Sequence, residues 1–343
     1  MSDPEHTQLL ECPKHMTYGP CGGVDFDGSC EVSPHPCVFL DLPTVRWHTE
    51  ERVAPREQTG GAERMRDLLT TGKVVVADFP ARALDARSIA ECAAPLAGRV
   101  DAVLAGDAGN ARVQFSPTYR AHLIRAAGLA VWTGLNCRDR NRVALEGELA
   151  GLADVGVAAV HCVTGDHTYT GSRPDTLPVF DLDSTELAAL ARKSGHLVSV
   201  GESPATPPRA RRPSRLVEKW NAGAEVCFVN HCGGVEPVRE FIRQSGDLGA
   251  APFFIACVPV VVDRASAELL RSFTTLVLPD GYLDRILDAA DPFVEGIAAA
   301  VELSRDLLEI DGVCGVNLSG GTDPGRELWF AEALGTISER ARR

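Results

Sequence analysis

Residues 129–167 read LAVWTGLNCRDRNRVALEGELAGLADVGVAAVHCVTGDH. Two short apolar runs, 129–135 and 157–164, flank an alanine- and leucine-rich stretch over 143–153. The runs are apolar throughout rather than alternating, as in strands covered on both faces. Each ends in polar residues, Asn136-Cys137-Arg138-Asp139 and Thr164-Gly165-Asp166-His167. The segment reads as strand, helix, parallel strand.

The same alternation extends in both directions. Six more apolar runs occur: KVVVADF (73–79), VDAVLA (100–105), HLVSVG (196–201), EVCFVN (225–230), FFIACVP (253–259) and GVCGVNL (312–318). Helix signals lie between them. Ser116-Pro117 suits an N-cap with proline at the first helical position. Asp183-Ser184-Thr185-Glu186 has the spacing of a capping box. Another alanine-rich segment covers 294–309. Eight such units predict an α/β fold, a (β/α)8 TIM barrel, over 73–343. A doubly wound sheet is the competing reading, but no G-x-G-x-x-G follows a strand.

The chain has 343 residues and a formal charge of −13. That charge argues against a nucleic-acid partner or an anionic membrane surface. No apolar run approaches the ~20 residues of a membrane span. The acidic, polar start MSDPEHTQLLECPKH does not resemble a secretory signal. The expectation is a cytoplasmic protein whose 11 cysteines are thiols or metal ligands. Seven of them are scattered, mostly in apolar runs, and read as small core residues.

The other four, Cys12, Cys21, Cys30 and Cys37, fall in CPKHMTYGPCGGVDFDGSCEVSPHPCVFL (12–40). So short a Gly- and Pro-rich segment cannot bury a core of its own, and metal ligation by four thiolates could supply the missing stability. The spacing lacks a C-x-x-C zinc knuckle, so a [4Fe-4S] cluster and zinc both stay open. Gly22 and Gly23 would let backbone N–H groups approach the Cys21 sulfur. A metal-free docked loop is the plain alternative. The chain therefore divides into a cysteine-rich metal-binding module (1–45), a connector (46–72) and the barrel (73–343).

The string CPK…GPCGG…CEV…C resembles the cysteine module found with some methylenetetrahydrofolate reductases. The barrel strings LNCRDRNR (135–142), VTGDH (163–167), VFDLDSTEL (179–187) and EKWNAGAEVCFVN (218–230) resemble the bacterial reductases themselves, in order. The resemblance implies a TIM barrel that binds a tetrahydrofolate derivative. It implies Asp166 as a catalytic and pterin-binding carboxylate and Asn230 as a substrate contact; Asn136 and Asn317, at the ends of their strands, read as further substrate contacts. Gly165 and Lys219 fall at cofactor positions. A helix cap for Asp166, a strand-end amide for Asn230 and a solvated lysine for Lys219 are the plain readings. Arg138, Asp139 and Asn141 read as pins of the strand-three loop, and Asp181 and Asp183 as caps. His161, inside an apolar run, reads as a core histidine. His167 and His231 are acid/base candidates at strand ends.

The sequence also departs from the family. The glutamate that serves as the acid falls at Ala77, and strand alternation is expected to turn Asp78 elsewhere. Flavin-seating residues fall at Gly134, Ser203 and Pro207, so FAD or FMN is expected to bind weakly. The leading expectation is a divergent reductase-like oxidoreductase of one-carbon metabolism that interconverts 5,10-methylene- and 5-methyltetrahydrofolate. An electron-donor protein and a homo-oligomer belong to that reading. The alternatives are a folate-dependent one-carbon transferase without flavin chemistry and a non-catalytic folate-binding subunit.

Overall fold

The structure is a computed structural model and describes residues 12–49, 51–55, 57–106, 111–170 and 172–343. Of the stretch read for a secretory signal, 1–15, residues 1–11 lie outside the described residues. The first helix, α1, spans Gly60–Thr71. Strands and helices then alternate: β1 Val74–Asp78, α2 Ala86–Ala93, β2 Ala102–Ala105, α3 Pro117–Ala126, β3 Val131–Asn136 and α4 Arg142–Val155. They continue as β4 Ala159–Val163, α5 Ser184–Lys193, β5 Val198–Glu202, α6 Arg212–Asn221, β6 Val226–Val229 and α7 Val235–Asp247. The last are β7 Phe253–Pro259, α8 Arg264–Arg271, α9 Tyr282–Leu287, α10 Pro292–Leu308, β8 Val313–Ser319 and α11 Glu327–Ala341. The strands are all parallel and close into a barrel in the order β1 to β8, with β1 paired to β8. Each lies within two residues of its apolar run.

The caps form where the local sequence provides an acceptor. Ser116 accepts from the Tyr119 amide at the start of α3. Asp183 and Glu186 complete a capping box on α5. Asp181 accepts from the Arg142 amide at 3.0 Å. No helix among the described residues is long and apolar enough to cross a membrane.

Two apolar layers organise the barrel. The outer layer, between strands and helices, contains Val75, Ala77, Val160, Cys162, Val198 and Val200. The inner layer contains Val74, Val76, Trp132, Ala159, Phe228 and Ile255. Met65 and Leu69 of α1 join the inner layer. The expected connector therefore includes a helix that plugs the N-terminal end of the barrel.

The cysteine module sits at the opposite end. Residues 44–49 and 51–53 run down α6: Thr44 meets Ser214 at 3.0 Å, the Trp47 amide donates to Glu218, and the Arg52 guanidinium donates to the Trp220 and Ala224 carbonyls. Arg52 also stacks over the Trp220 ring at 3.7 Å. These contacts make the strap part of the barrel surface.

Candidate functional site

A cavity of about 730 Å³ occupies the C-terminal mouth of the barrel, where barrel strands present their functional groups. Strand ends form much of its wall; α6, through Arg212, Arg215 and Lys219, residues 272–276, and the module, through Lys14, Cys21 and Gly22, contribute the rest. A second cavity of about 430 Å³ lies inside the module and is lined by Cys12, Cys21, Cys30 and Cys37 together. Cys21 borders both.

Asp166 lies on the wall of the mouth cavity, exposed, and its charge acts on Lys14. It caps no α-helix; the next, α5, takes Asp183 instead. Gly165 beside it has φ +86°, and a Cβ there would stand 2.9 Å from the Asn136 Cβ. Only glycine lets the chain turn so close to Asn136. Asn136 also lines the cavity, and its carbonyl oxygen accepts from the Asp139 amide at 3.0 Å. Arg138 is buried and donates to the Thr164 carbonyl, while Asn141 caps α4. These residues pin the strand-three loop, as the sequence suggests.

Asn230 lines the cavity and donates to the Ser203 hydroxyl at 2.9 Å. Lys219 is buried, not solvated: its ammonium lies 2.5 Å from Glu202 and donates to the Gly201 carbonyl at 2.6 Å. Burial pulls its pKa down despite the Glu202 charge. A buried ion pair of this kind leaves a strong uncompensated charge if either partner is removed. His231 lines the cavity, whereas His167 is buried with Nδ1 accepting from the Tyr169 amide.

Asp78 corrects the sequence reading. Ala77 belongs to the outer layer, so it is Asp78 that turns inward. Its oxygens accept from Asn317 Nδ2 at 2.9 Å and the Gly320 amide at 3.2 Å, and burial raises its pKa. Asn317 is thereby committed to the β1–β8 seam and is not among the residues lining the mouth cavity. Gly134 does line it, and a Cβ there would come 2.7 Å from the Gly106 Cα, so that wall admits no side chain.

In the module, the Gly23 amide donates to the Cys21 sulfur at 3.4 Å. Burial raises the Cys12 thiol pKa and pushes Cys37 up to about 12. Lys14 is buried and paired with Glu31. Burial opposes its charge, but Cys21 and Glu31 outweigh that effect and hold it protonated. Among the described residues, no three His, Cys, Asp or Glu side chains are gathered closely enough to hold a single metal ion. The four thiols share one cavity, with Cys21 and Cys37 packed against the cluster that contains Cys12.

Fold and site thus define a (β/α)8 barrel with a cavity at its mouth, bordered by a thiol-bearing module. Residues 7–58, which cover the module and the strap, match the family model described as Methylene-tetrahydrofolate reductase C terminal. No curated protein matches the chain. An uncharacterized protein from Clostridium thermocellum, which binds two copies of 5-methyl-5,6,7,8-tetrahydrofolic acid, shares the fold at TM-score 0.57 and 11% identity. The likeness covers 82% of this chain and 99% of that one. A 2,3-dimethylmalate lyase of the PEP mutase/isocitrate lyase superfamily is a more distant match: TM-score 0.45, 15% identity, 76% of this chain and 78% of that one.

Proposed function

We propose that the chain is a folate-binding oxidoreductase of one-carbon metabolism that interconverts 5,10-methylene- and 5-methyltetrahydrofolate. The observation that carries the reading is the position of Cys21, on the wall of both the thiol cavity and the mouth cavity. The family match on the module and the methyltetrahydrofolate bound by the fold relative support it. Cys12, Cys21, Cys30 and Cys37 hold the metal centre. A single zinc draws its sulfurs to about 2.3 Å from one point. Four thiols lining one cavity of about 430 Å³ leave room for a [4Fe-4S] cluster, the reading we prefer. Such a cluster, when bound, supplies electrons singly.

Forming the methyl group breaks the N10–methylene bond, makes a new C–H bond and takes up two electrons and two protons. An electron-donor protein is the partner that supplies the electrons. Asp166 accepts hydrogen bonds from the amino-amide edge of the pterin, and Asn136, Gly165 and Asn230 shape the wall around it. Lys219, neutralised by Glu202, stiffens the strand-five end. With Gly134 closed to side chains, FAD or FMN finds a poor seat.

One observation favours a second reading. The carboxylate that β1 turns inward, Asp78, is bonded to Asn317 and the Gly320 amide and does not line the mouth cavity, which suits a one-carbon transferase or a non-catalytic folate-binding subunit with structural zinc. Anaerobic purification followed by metal analysis, a visible spectrum and calorimetric titration with 5-methyltetrahydrofolate decides between them. Iron, a broad visible absorption and folate binding support the first reading. A colourless zinc protein that binds folate supports the second, and a chain that binds no folate sinks both.

A further inference from the structure

We infer that His161 presents a neutral Nε2–H to the bound folate from the depth of the mouth cavity, and so sets the orientation of its ring. The inference rests on the folate reading above and names a contact that reading does not use.

His161 sits in the middle of β4, deeper in the barrel than Asp166. Its neighbours Val160 and Cys162 belong to the outer layer and Ala159 to the inner one, so alternation turns His161 inward. Its side chain lines the mouth cavity.

The hydrogen bonds on the far side of the ring bear on its tautomer. Nδ1 lies 2.9 Å from the Ser199 hydroxyl oxygen. The same oxygen accepts from the Trp132 indole N–H at 2.7 Å. A serine hydroxyl carries a single proton to donate. Its other acceptor, the Val160 carbonyl, is 3.4 Å away and therefore the weaker one. We take the serine proton to go to the nearer acceptor, Nδ1, which leaves the ring's own proton on Nε2; the opposite arrangement, Nδ1–H donating to Ser199 and Ser199 donating to Val160, is the one the NMR readout below would expose. Phe228 packs edge-on at 4.9 Å and fixes the ring plane. Burial first, and the Lys219 charge second, hold the pKa down at about 4, so the imidazole is neutral in neutral solution.

Nε2 faces open space because β5 carries glycine beside it. A Cβ on Gly201 would stand 3.7 Å from His161 Nε2 and 3.8 Å from Asn230 Nδ2. His161, Gly201 and Asn230 thus form a row across three neighbouring strands, with donors at both ends and no side chain between. A neutral N–H at the bottom of an apolar barrel recognises an uncharged acceptor. In a reduced pterin that is the ring carbonyl or a ring nitrogen. Asp166 nearer the solvent takes the N–H-rich edge, so the two residues read opposite hydrogen-bonding character on one heterocycle.

The test uses the full chain titrated calorimetrically with 5-methyltetrahydrofolate, alongside His161→Phe and His161→Gln. Phenylalanine keeps a ring and removes the donor; affinity should fall about tenfold, the scale of one neutral hydrogen bond. Glutamine brings an amide N–H close to the Nε2 position and should stay within about threefold of the parent. ¹⁵N-histidine NMR supplies a second readout. One imidazole signal, absent from both variants, should show the Nε2–H tautomer and shift on adding 5-methyltetrahydrofolate. If the phenylalanine variant does not fold by circular dichroism, the glutamine variant and the NMR signal decide. Undiminished binding by the phenylalanine variant, or a His161 signal unmoved at saturation, overturns the inference and leaves the folate reading standing. A parent chain that binds no 5-methyltetrahydrofolate overturns the folate reading and this inference with it.

Discussion

The Arg212 guanidinium on α6 donates to the main-chain carbonyl of Cys21 at 3.0 Å and to that of Pro20 at 3.3 Å. It also holds the Thr206 and Pro207 carbonyls, and lies 3.9 Å from Glu202. One barrel side chain therefore places the cysteine that borders both cavities. Three residues on, Arg215 packs under Gly19, where a Cβ would come 2.8 Å from its Cδ. A single helix thus carries the module and, through Lys219, part of the mouth cavity.

Arg212→Met should loosen the module before the barrel. It removes four main-chain hydrogen bonds from a buried cation. The expected loss is about 3 kcal/mol in urea unfolding, with the first proteolytic cuts inside 12–58. Cuts that begin in the barrel would argue that the module is held elsewhere.

Serine at any one of Cys12, Cys21, Cys30 or Cys37 should lower the metal content of anaerobically purified protein, whereas Cys314→Ser should leave it unchanged. Elemental analysis makes the comparison. Neither iron nor zinc in the parent chain would end the metal proposal.

Asp166→Asn should weaken 5-methyltetrahydrofolate binding by about 1.5–3 kcal/mol, the scale of a hydrogen bond to a charged group. The melting temperature should hold, because the side chain is exposed and caps no α-helix. Lower stability at unchanged affinity would make Asp166 structural.

Gly165→Ala puts a Cβ at φ +86° and 2.9 Å from the Asn136 Cβ. Left-handed backbone costs a non-glycine residue roughly 1–2 kcal/mol. Both stability and folate affinity should fall, since the shift moves Asn136 and Asp166 together. A neutral substitution would show that the turn has room the structure does not suggest.

Acid should destabilise the fold through its buried histidines. His161, held down by burial and the Lys219 charge, and His231, held down by burial, titrate at about 4 when folded, against about 6.5 when unfolded. Below pH 6.5 the unfolded chain takes up protons that the folded chain refuses. Their contribution to stability is therefore intact above that pH and falls as the pH drops toward 4, at up to about 1.4 kcal/mol per unit per histidine. Urea unfolding between pH 7 and 4.5 measures the slope. His161→Gln should reduce it by about one proton, and an unchanged slope would mean that His161 is charged in the fold.

Much of this was legible in the chain. The eight strands follow from apolar runs, and the caps at Ser116 and Asp183 from side chains that bond their own neighbours. The four module cysteines and the strand-end Asp166 stood out by composition and position. Three things were not legible: the inward turn of Asp78, the burial of Lys219 against Glu202, and the place of His161 on the wall of the mouth cavity.

The sequence by itself determined the order and type of the elements, because these rest on contacts within a few residues. It could not say which face of a strand is inside. A strand buried on both sides is apolar on both faces and carries no label for either. Only closure of β8 on β1 assigned Ala77 to the helices and Asp78 to the interior. The docking of the module was likewise decided by tertiary structure. It depends on α6, some 190 residues further along the chain than Cys21, and no local pattern encodes a contact of that separation.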